Sequence, residues 1–155
     1  MLSDCAKKKI KEIYGNYADR HSVSMTAMQI VQREFGYLSK EDLIEIAEML
    51  DIKPIELDEV GGFYTMYNVE RPVGRYHVQV CENLPCALLG AEHIITVIEK
   101  HLKIKVGETT PDKKYTLSRV QCLGSCGTAP MMQVNETYYE DLTEKNVIEI
   151  LDGFK

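Results

Sequence analysis

With 155 residues, 45% of them hydrophobic and 27% charged, the chain has the composition of one medium globular domain or of a small domain with an appendage. A net charge of −6 argues against a nucleic-acid partner, which would call for a basic patch, and no apolar run reaches the length of about eighteen residues that spans a bilayer, so no direct membrane insertion is expected. The lysine-rich start, MLSDCAKKKIKEIYGNY, lacks the apolar stretch and cleavage site of a secretory signal, which places the chain in the reducing cytoplasm, where paired cysteines more often bind metal or exchange electrons than form disulfides.

Residues 1–70 read as a helical bundle. Ile10, Ile13, Tyr14 and Tyr17 recur at helical spacing, as do Ala27, Ile30, Val31, Phe35 and Leu38, with Gly36 as a C-cap. Ser39 and Asp42 of SKED form a capping box that opens a third helix with Leu43, Ile44, Ala47 and Leu50 inward. Pro54 begins a fourth, on which Val60, Phe63, Tyr64 and Tyr67 make an aromatic stripe expected in the core. Between Glu41 and Glu59 eight carboxylates face Lys53 alone. A solvated helix face explains them best, and a docking surface for a basic partner is the sharper alternative.

After the turn-rich stretch NVERPVGR (68–75) the period changes from helix to strand. YHVQV (76–80) alternates and runs into Cys81; residues 86–102 return to helix through Leu88, Ala91, Ile95, Ile98 and Leu102; YTLSRVQ (115–121) is a second strand ending at a cysteine. MMQVNETYYEDL (131–142) reads as a hairpin turning near Asn135–Glu136, and Thr143 caps a last helix carrying Val147, Ile150, Leu151 and Phe154. The order β-α-β, then β-β-α, gives an α+β fold overall, with residues 71–155 as its second domain. A right-handed crossover makes the first two strands parallel, so Cys81 and Cys122 emerge at one edge of the sheet.

Four of the five cysteines thus fall into two pairs expected to meet, Cys81 with Cys86 and Cys122 with Cys126. Cys86 opens a helix, whose N–H groups favour anionic sulfur, while Gly124 and Gly127 permit tight turns in the second loop. Two disulfides do not suit the compartment, and a dithiol–disulfide site needs one pair only. A structural zinc accepts four thiolates; so does a 2Fe–2S cluster, which also tolerates the C-x4-C spacing of the first pair. Spacing favours iron–sulfur over zinc. No dinucleotide or phosphate-binding glycine loop is present, and His21, His77, His93 and His101 suggest no catalytic set. His77 reads as a surface or satisfied core histidine, and Cys5 as part of a frayed terminus. The isomer of the Ala129–Pro130 bond is open.

CENLPCALLGAE and VQCLGSCGTAPMMQVN, together with FGYLS and VGGFYTMY upstream, resemble the thioredoxin-like 2Fe–2S ferredoxins. More closely, they resemble the small iron–sulfur subunits that accompany the NADH-oxidising flavoprotein of respiratory complex I, and the likeness covers nearly the whole chain. It implies a thioredoxin-like second domain and one 2Fe–2S cluster bound by Cys81, Cys86, Cys122 and Cys126. It also implies one-electron transfer without a substrate site on this chain, with FMN and NADH on a partner flavoprotein subunit that residues 1–70 would dock. In complex I such a subunit is peripheral to the inner membrane on its cytoplasmic side. The same subunit type serves NAD(P)-linked or electron-bifurcating hydrogenases and formate dehydrogenases. From another class, a zinc-stabilised interaction module is the alternative.

Overall fold

Seven α-helices and one four-stranded mixed sheet make up the computed structural model, which describes residues 1–155 and divides into the units Met1–Pro72 and Val73–Lys155. No helix is long and apolar enough to cross a membrane.

The first unit contains α1 (Asp4–Tyr14), α2 (Ser24–Phe35), α3 (Lys40–Leu50) and α4 (Pro54–Phe63). Each begins or ends where local chemistry dictates. Ser3 caps α1 by accepting the Ala6 N–H, and the left-handed Gly36 (φ 80°) closes α2. Ser39 and Asp42 form the full reciprocal capping box of α3, and Pro54 opens α4. The faces meet in one core that includes Ile10, Met28, Leu38, Ile46, Leu50 and Leu57.

Several expected core positions lie elsewhere. Helix α1 stops at Tyr14, before Gly15 and Asn16, so Tyr17 leaves its face and is exposed. Phe35 is exposed at the end of α2, and on α3 Ile46 is buried in place of Ile44. The aromatic stripe of the fourth helix is not core. Helix α4 ends at Phe63 because Tyr64 is extended, so helical periodicity no longer governs the residues after it; Phe63 is 77% exposed and only Tyr67, beyond the helix, is buried. Cys5 belongs to no frayed terminus either: it lies in the capped α1, next to a buried Leu2 whose N–H donates to Glu45 at 2.7 Å. Asn68 and Val69 are part of this unit and not of a linker. The Gln32 side chain accepts the Asn68 N–H at 2.6 Å and donates to the Met66 carbonyl at 2.8 Å, and Leu38 pairs with Val69 as an isolated bridge.

Half of the acidic block is engaged inside the unit. Asp42 caps, Glu45 binds Lys7 at 2.6 Å, Asp51 pairs with Arg20, and Glu56 meets His21 at 3.2 Å. Glu41, Glu48, Asp58 and Glu59 are exposed, as a solvated face requires.

In the second unit, β1 (Tyr76–Cys81), β2 (Tyr115–Val120), β3 (Met132–Val134) and β4 (Thr137–Tyr139) form a sheet in the order β2-β1-β3-β4. Strands β1 and β2 are parallel, from Tyr76 opposite Tyr115 to Cys81 opposite Val120; β3 runs antiparallel to β1 and forms a hairpin with β4 about Asn135–Glu136. The stretch expected as one helix over 86–102 is two: α5 (Leu84–Leu88) and α6 (Ala91–Leu102). Gly90, at φ 98°, takes a left-handed conformation that residues with a Cβ rarely adopt, and there the chain changes direction. Leu88 is consequently 77% exposed, while Ala91, Ile94, Ile95 and Ile98 enter the core with Val78, Val80, Leu117 and Met132. Helix α7 (Glu144–Gly153), capped by Thr143, adds Val147 and Leu151 and packs along α6, with His101 to Asp152 at 2.9 Å on their shared flank.

Candidate metal centre

The two cysteine pairs arise where the central parallel strands end. The β1–β2 ladder closes with Cys81 opposite Val120, and the Glu82 N–H still donates to the Val120 carbonyl at 3.0 Å. Beyond that bond the two chains part. The first enters α5, whose N-cap Asn83 accepts the Leu84 N–H at 2.7 Å and so sets Cys86 in the first turns of that short helix. The second crosses Cys122 and Gly124 (φ 77°) into a single 3-10 turn over Cys126–Thr128, then the cis Ala129–Pro130 bond and β3.

Cys81 and Cys86 are buried, and Cys122 and Cys126 are exposed. Cys81 and Cys126 are among the groups that perturb the Cys86 thiol. Cys122 has a different partner, the Gly124 N–H, which donates to its sulfur at 3.3 Å. The Cys81 thiol points its proton at the Gln121 carbonyl at 3.9 Å, across to the second loop. The pairs therefore share one edge, yet no three potential ligands converge at metal-binding distance. Side-chain packing offers little drive to bring four sulfurs to one point, and a bound metal would supply it.

Burial, first, then the hydrogen bond with Cys81 and the nearby charges of Cys81 and Cys126, push the Cys86 thiol up to about 11, although a Met131 backbone hydrogen bond favours its anion. Such a thiol is a poor free nucleophile, and as a metal ligand it would have to give up its proton on binding. The donor set is all sulfur, and a backbone N–H, that of Gly124, reaches the sulfur of Cys122. This chemistry fits a 2Fe–2S cluster, whose sulfurs are stabilised by such donors.

Side chains that sequence reasoning missed tie the edge together. Gln121 donates to Glu82 at 2.7 Å, joining the residue before Cys122 to the residue after Cys81. Arg119 lies 3.6 Å from Glu82 and forms a two-pronged pair with Glu92 at 2.7 and 2.8 Å, which holds the Glu92 carboxyl below the usual range. On the other flank Tyr138 donates to the Leu123 carbonyl at 2.9 Å, and Glu140 accepts from Ser125 and from Thr128 (2.7 Å). The Ser125 hydroxyl and then that of Thr128 keep the Glu140 carboxyl low. The Glu82–Gln121 tie follows from parallel pairing with each residue beside a cysteine; nothing local marks Glu140. His77 is the satisfied histidine: its Nε2 is 2.8 Å from the Ser118 hydroxyl, and burial pushes its pKa down to about 4, so the ring is neutral.

Comparison with known proteins places the chain in a family. Residues 10–155 match the family model of the thioredoxin-like 2Fe–2S ferredoxins. The chain is 40% identical over 149 residues to a subunit of the NADH-quinone oxidoreductase of Rhizobium meliloti (strain 1021), covering 96% of this chain and 88% of that one. It is 42% identical over 136 residues to an NADH-quinone oxidoreductase subunit of Rickettsia felis, covering 87% and 81%, and 41% identical over 150 residues to NADH dehydrogenase (ubiquinone) flavoprotein 2, mitochondrial, of Dictyostelium discoideum, covering 95% and 60%. Among solved structures, the NAD+-reducing NiFe hydrogenase in its air-oxidised state superposes with a TM-score of 0.67 at 18% identity over 81% of this chain, which is 22% of the hydrogenase chain; this likeness concerns the fold. A family match over residues 10–155 and relatives at about 40% identity thus agree, and the chain belongs to the thioredoxin-like 2Fe–2S ferredoxin family.

Proposed function

We propose that the chain carries single electrons through one 2Fe–2S cluster held by Cys81, Cys86, Cys122 and Cys126, as the small subunit of the NADH-oxidising module of an NADH–quinone oxidoreductase. The observation that carries the reading is the emergence of both cysteine pairs at the ends of β1 and β2, in a chain about 40% identical to a subunit of such a complex over nearly its full length. When bound, such a cluster takes up and gives back one electron at a time.

The residues of this chain hold and shield it. Cys81 and Cys86 supply buried sulfurs that keep water from one side, and the Gly124 N–H lies at the Cys122 sulfur and favours negative charge there. Hydride transfer from NADH moves two electrons at once and belongs to a flavin, so FMN and NADH are assigned to a partner flavoprotein. Exposed Phe63, Met66 and Phe35 on the helical unit are side chains that a permanent partner would cover, which supports docking through that unit.

Anaerobically purified protein should be brown and contain about two irons and two acid-labile sulfides per chain, with an S = 1/2 electron paramagnetic resonance (EPR) signal after dithionite reduction. A colourless protein with one zinc ends this reading in favour of a zinc-stabilised module.

A further inference from the structure

Cys122 and Cys126 lie in a loop outside any long helix or strand, so their positions depend on what holds the loop. The holding groups come from β4 and the residues just after it. Tyr138 donates to the carbonyl of Leu123, next to Cys122, at 2.9 Å. Ser125 and Thr128, on either side of Cys126, both donate to the Glu140 carboxylate, and their hydroxyls are 2.9 Å apart. The Asp141 N–H adds a backbone bond to the Thr128 carbonyl at 2.8 Å. Hydrogen bonds to a charged acceptor are about twice as strong as neutral ones, so Glu140 is the strongest of these anchors.

We infer that Glu140, assisted by Tyr138, is a positioning residue for the second cysteine pair. It fixes the turn that carries Cys126, and its negative charge biases the bound cluster towards the oxidised state. The inference rests on Cys122 and Cys126 being cluster ligands, as proposed above. The charge effect follows from Coulomb's law: reduction adds one negative charge to the cluster, and a carboxylate bonded to Ser125 and Thr128, which flank Cys126, opposes it. The two roles separate by substitution. Glu140→Gln keeps an acceptor oxygen for Ser125 and Thr128 but removes the charge, whereas Glu140→Ala removes both.

The full-length chain, reconstituted anaerobically with iron and sulfide, is compared as wild type, Glu140→Ala, Glu140→Gln and Tyr138→Phe. Three quantities are read: iron release to a chelator, the EPR signal of the reduced form, and the midpoint potential. Release should be about tenfold faster for Glu140→Ala, with altered g-values, and within about threefold of wild type for Glu140→Gln and Tyr138→Phe. The midpoint potential of Glu140→Gln should shift to more positive values while its spectrum stays that of wild type. Wild-type release and spectrum in Glu140→Ala overturn the positioning role, and an unchanged potential in Glu140→Gln overturns the charge effect. Should Glu140→Ala not fold, Thr128→Val takes its place and must also speed release; wild-type release there overturns the role equally. A wild-type chain that retains no cluster overturns the proposed function and this inference together.

Discussion

Individual residues at the sheet edge differ in what they contribute, and substitution should resolve them. Serine at Cys81, Cys86, Cys122 or Cys126 should abolish or distort the iron–sulfur spectrum, because a hydroxyl is a harder and more basic donor than a thiolate. Cys5→Ser should leave it unchanged, since Cys5, on α1, is not one of the four proposed ligands. An unaltered spectrum in Cys86→Ser removes that residue from the ligand set. His77 gives a pH-dependent prediction. Its folded pKa of about 4 lies below the value of about 6.5 expected when unfolded, so the unfolded chain binds the extra proton first. Its contribution is complete above about pH 6.5 and is lost as the pH falls towards 4, by as much as about 3 kcal/mol. Urea unfolding of the metal-free chain should therefore weaken more steeply over that window in wild type than in His77→Gln; parallel curves refute the assignment.

Elements stand or fall by their ends and their close approaches. Helix α3 depends on the Ser39–Asp42 box, in which the Asp42 N–H bonds Ser39 at 3.1 Å and the Ser39 N–H bonds Asp42 at 3.0 Å. Ser39→Ala should cost about 1–2 kcal/mol in thermal or urea unfolding of the first unit. Helix α4 carries Gly61 where a Cβ would lie 2.5 Å from Val69 Cγ2 and 3.1 Å from Met28 Cε. Gly61→Ala should therefore destabilise by about 1–3 kcal/mol, despite the better helix propensity of alanine. A stabilised Gly61→Ala variant shows that Val69 and Met28 yield at little cost. The opposite reasoning applies to Gly62 beside it, which has open space where its Cβ would be, so Gly62→Ala serves as the control.

For the whole molecule, the two units predict separable behaviour. Val73–Lys155 has its own core, in which Val78, Val80, Ile95, Ile98, Leu117 and Met131 are buried within the unit. A chain lacking residues 1–72 should fold, bind iron and sulfide, and no longer co-purify with the proposed flavoprotein partner. Full co-purification in high salt shows that the helical unit is not the clamp. With four of the block's eight acids engaged in bonds or ion pairs of their own unit, salt should weaken the intact complex only slightly. Mixed with NADH alone, the intact chain should stay oxidised for many minutes, because the proposed function leaves hydride uptake to the partner's flavin. Rapid bleaching without a flavoprotein points to a nucleotide site on this chain.

Legible in the sequence was whatever adjacent residues decide among themselves. The caps at Ser39, Pro54 and Thr143, the turn at Asn135–Glu136 and the change from helical to strand periodicity after residue 75 are local, and each stands where the pattern puts it. The handedness of the βαβ crossover adds one general rule, and by that rule Cys81 and Cys122 leave the sheet at one edge. Burial was harder to read, because it depends on partners distant in sequence. Phe63 and Leu88 had the spacing of core residues, yet the extended Tyr64 and the left-handed Gly90 turned the chain and left both in solvent. The same holds for the support of the candidate site. Glu140 is twelve residues from Thr128 and has no periodic signature, so only the return of the β3–β4 hairpin across the cysteine loop decided that its carboxylate would hold the turn around Cys126.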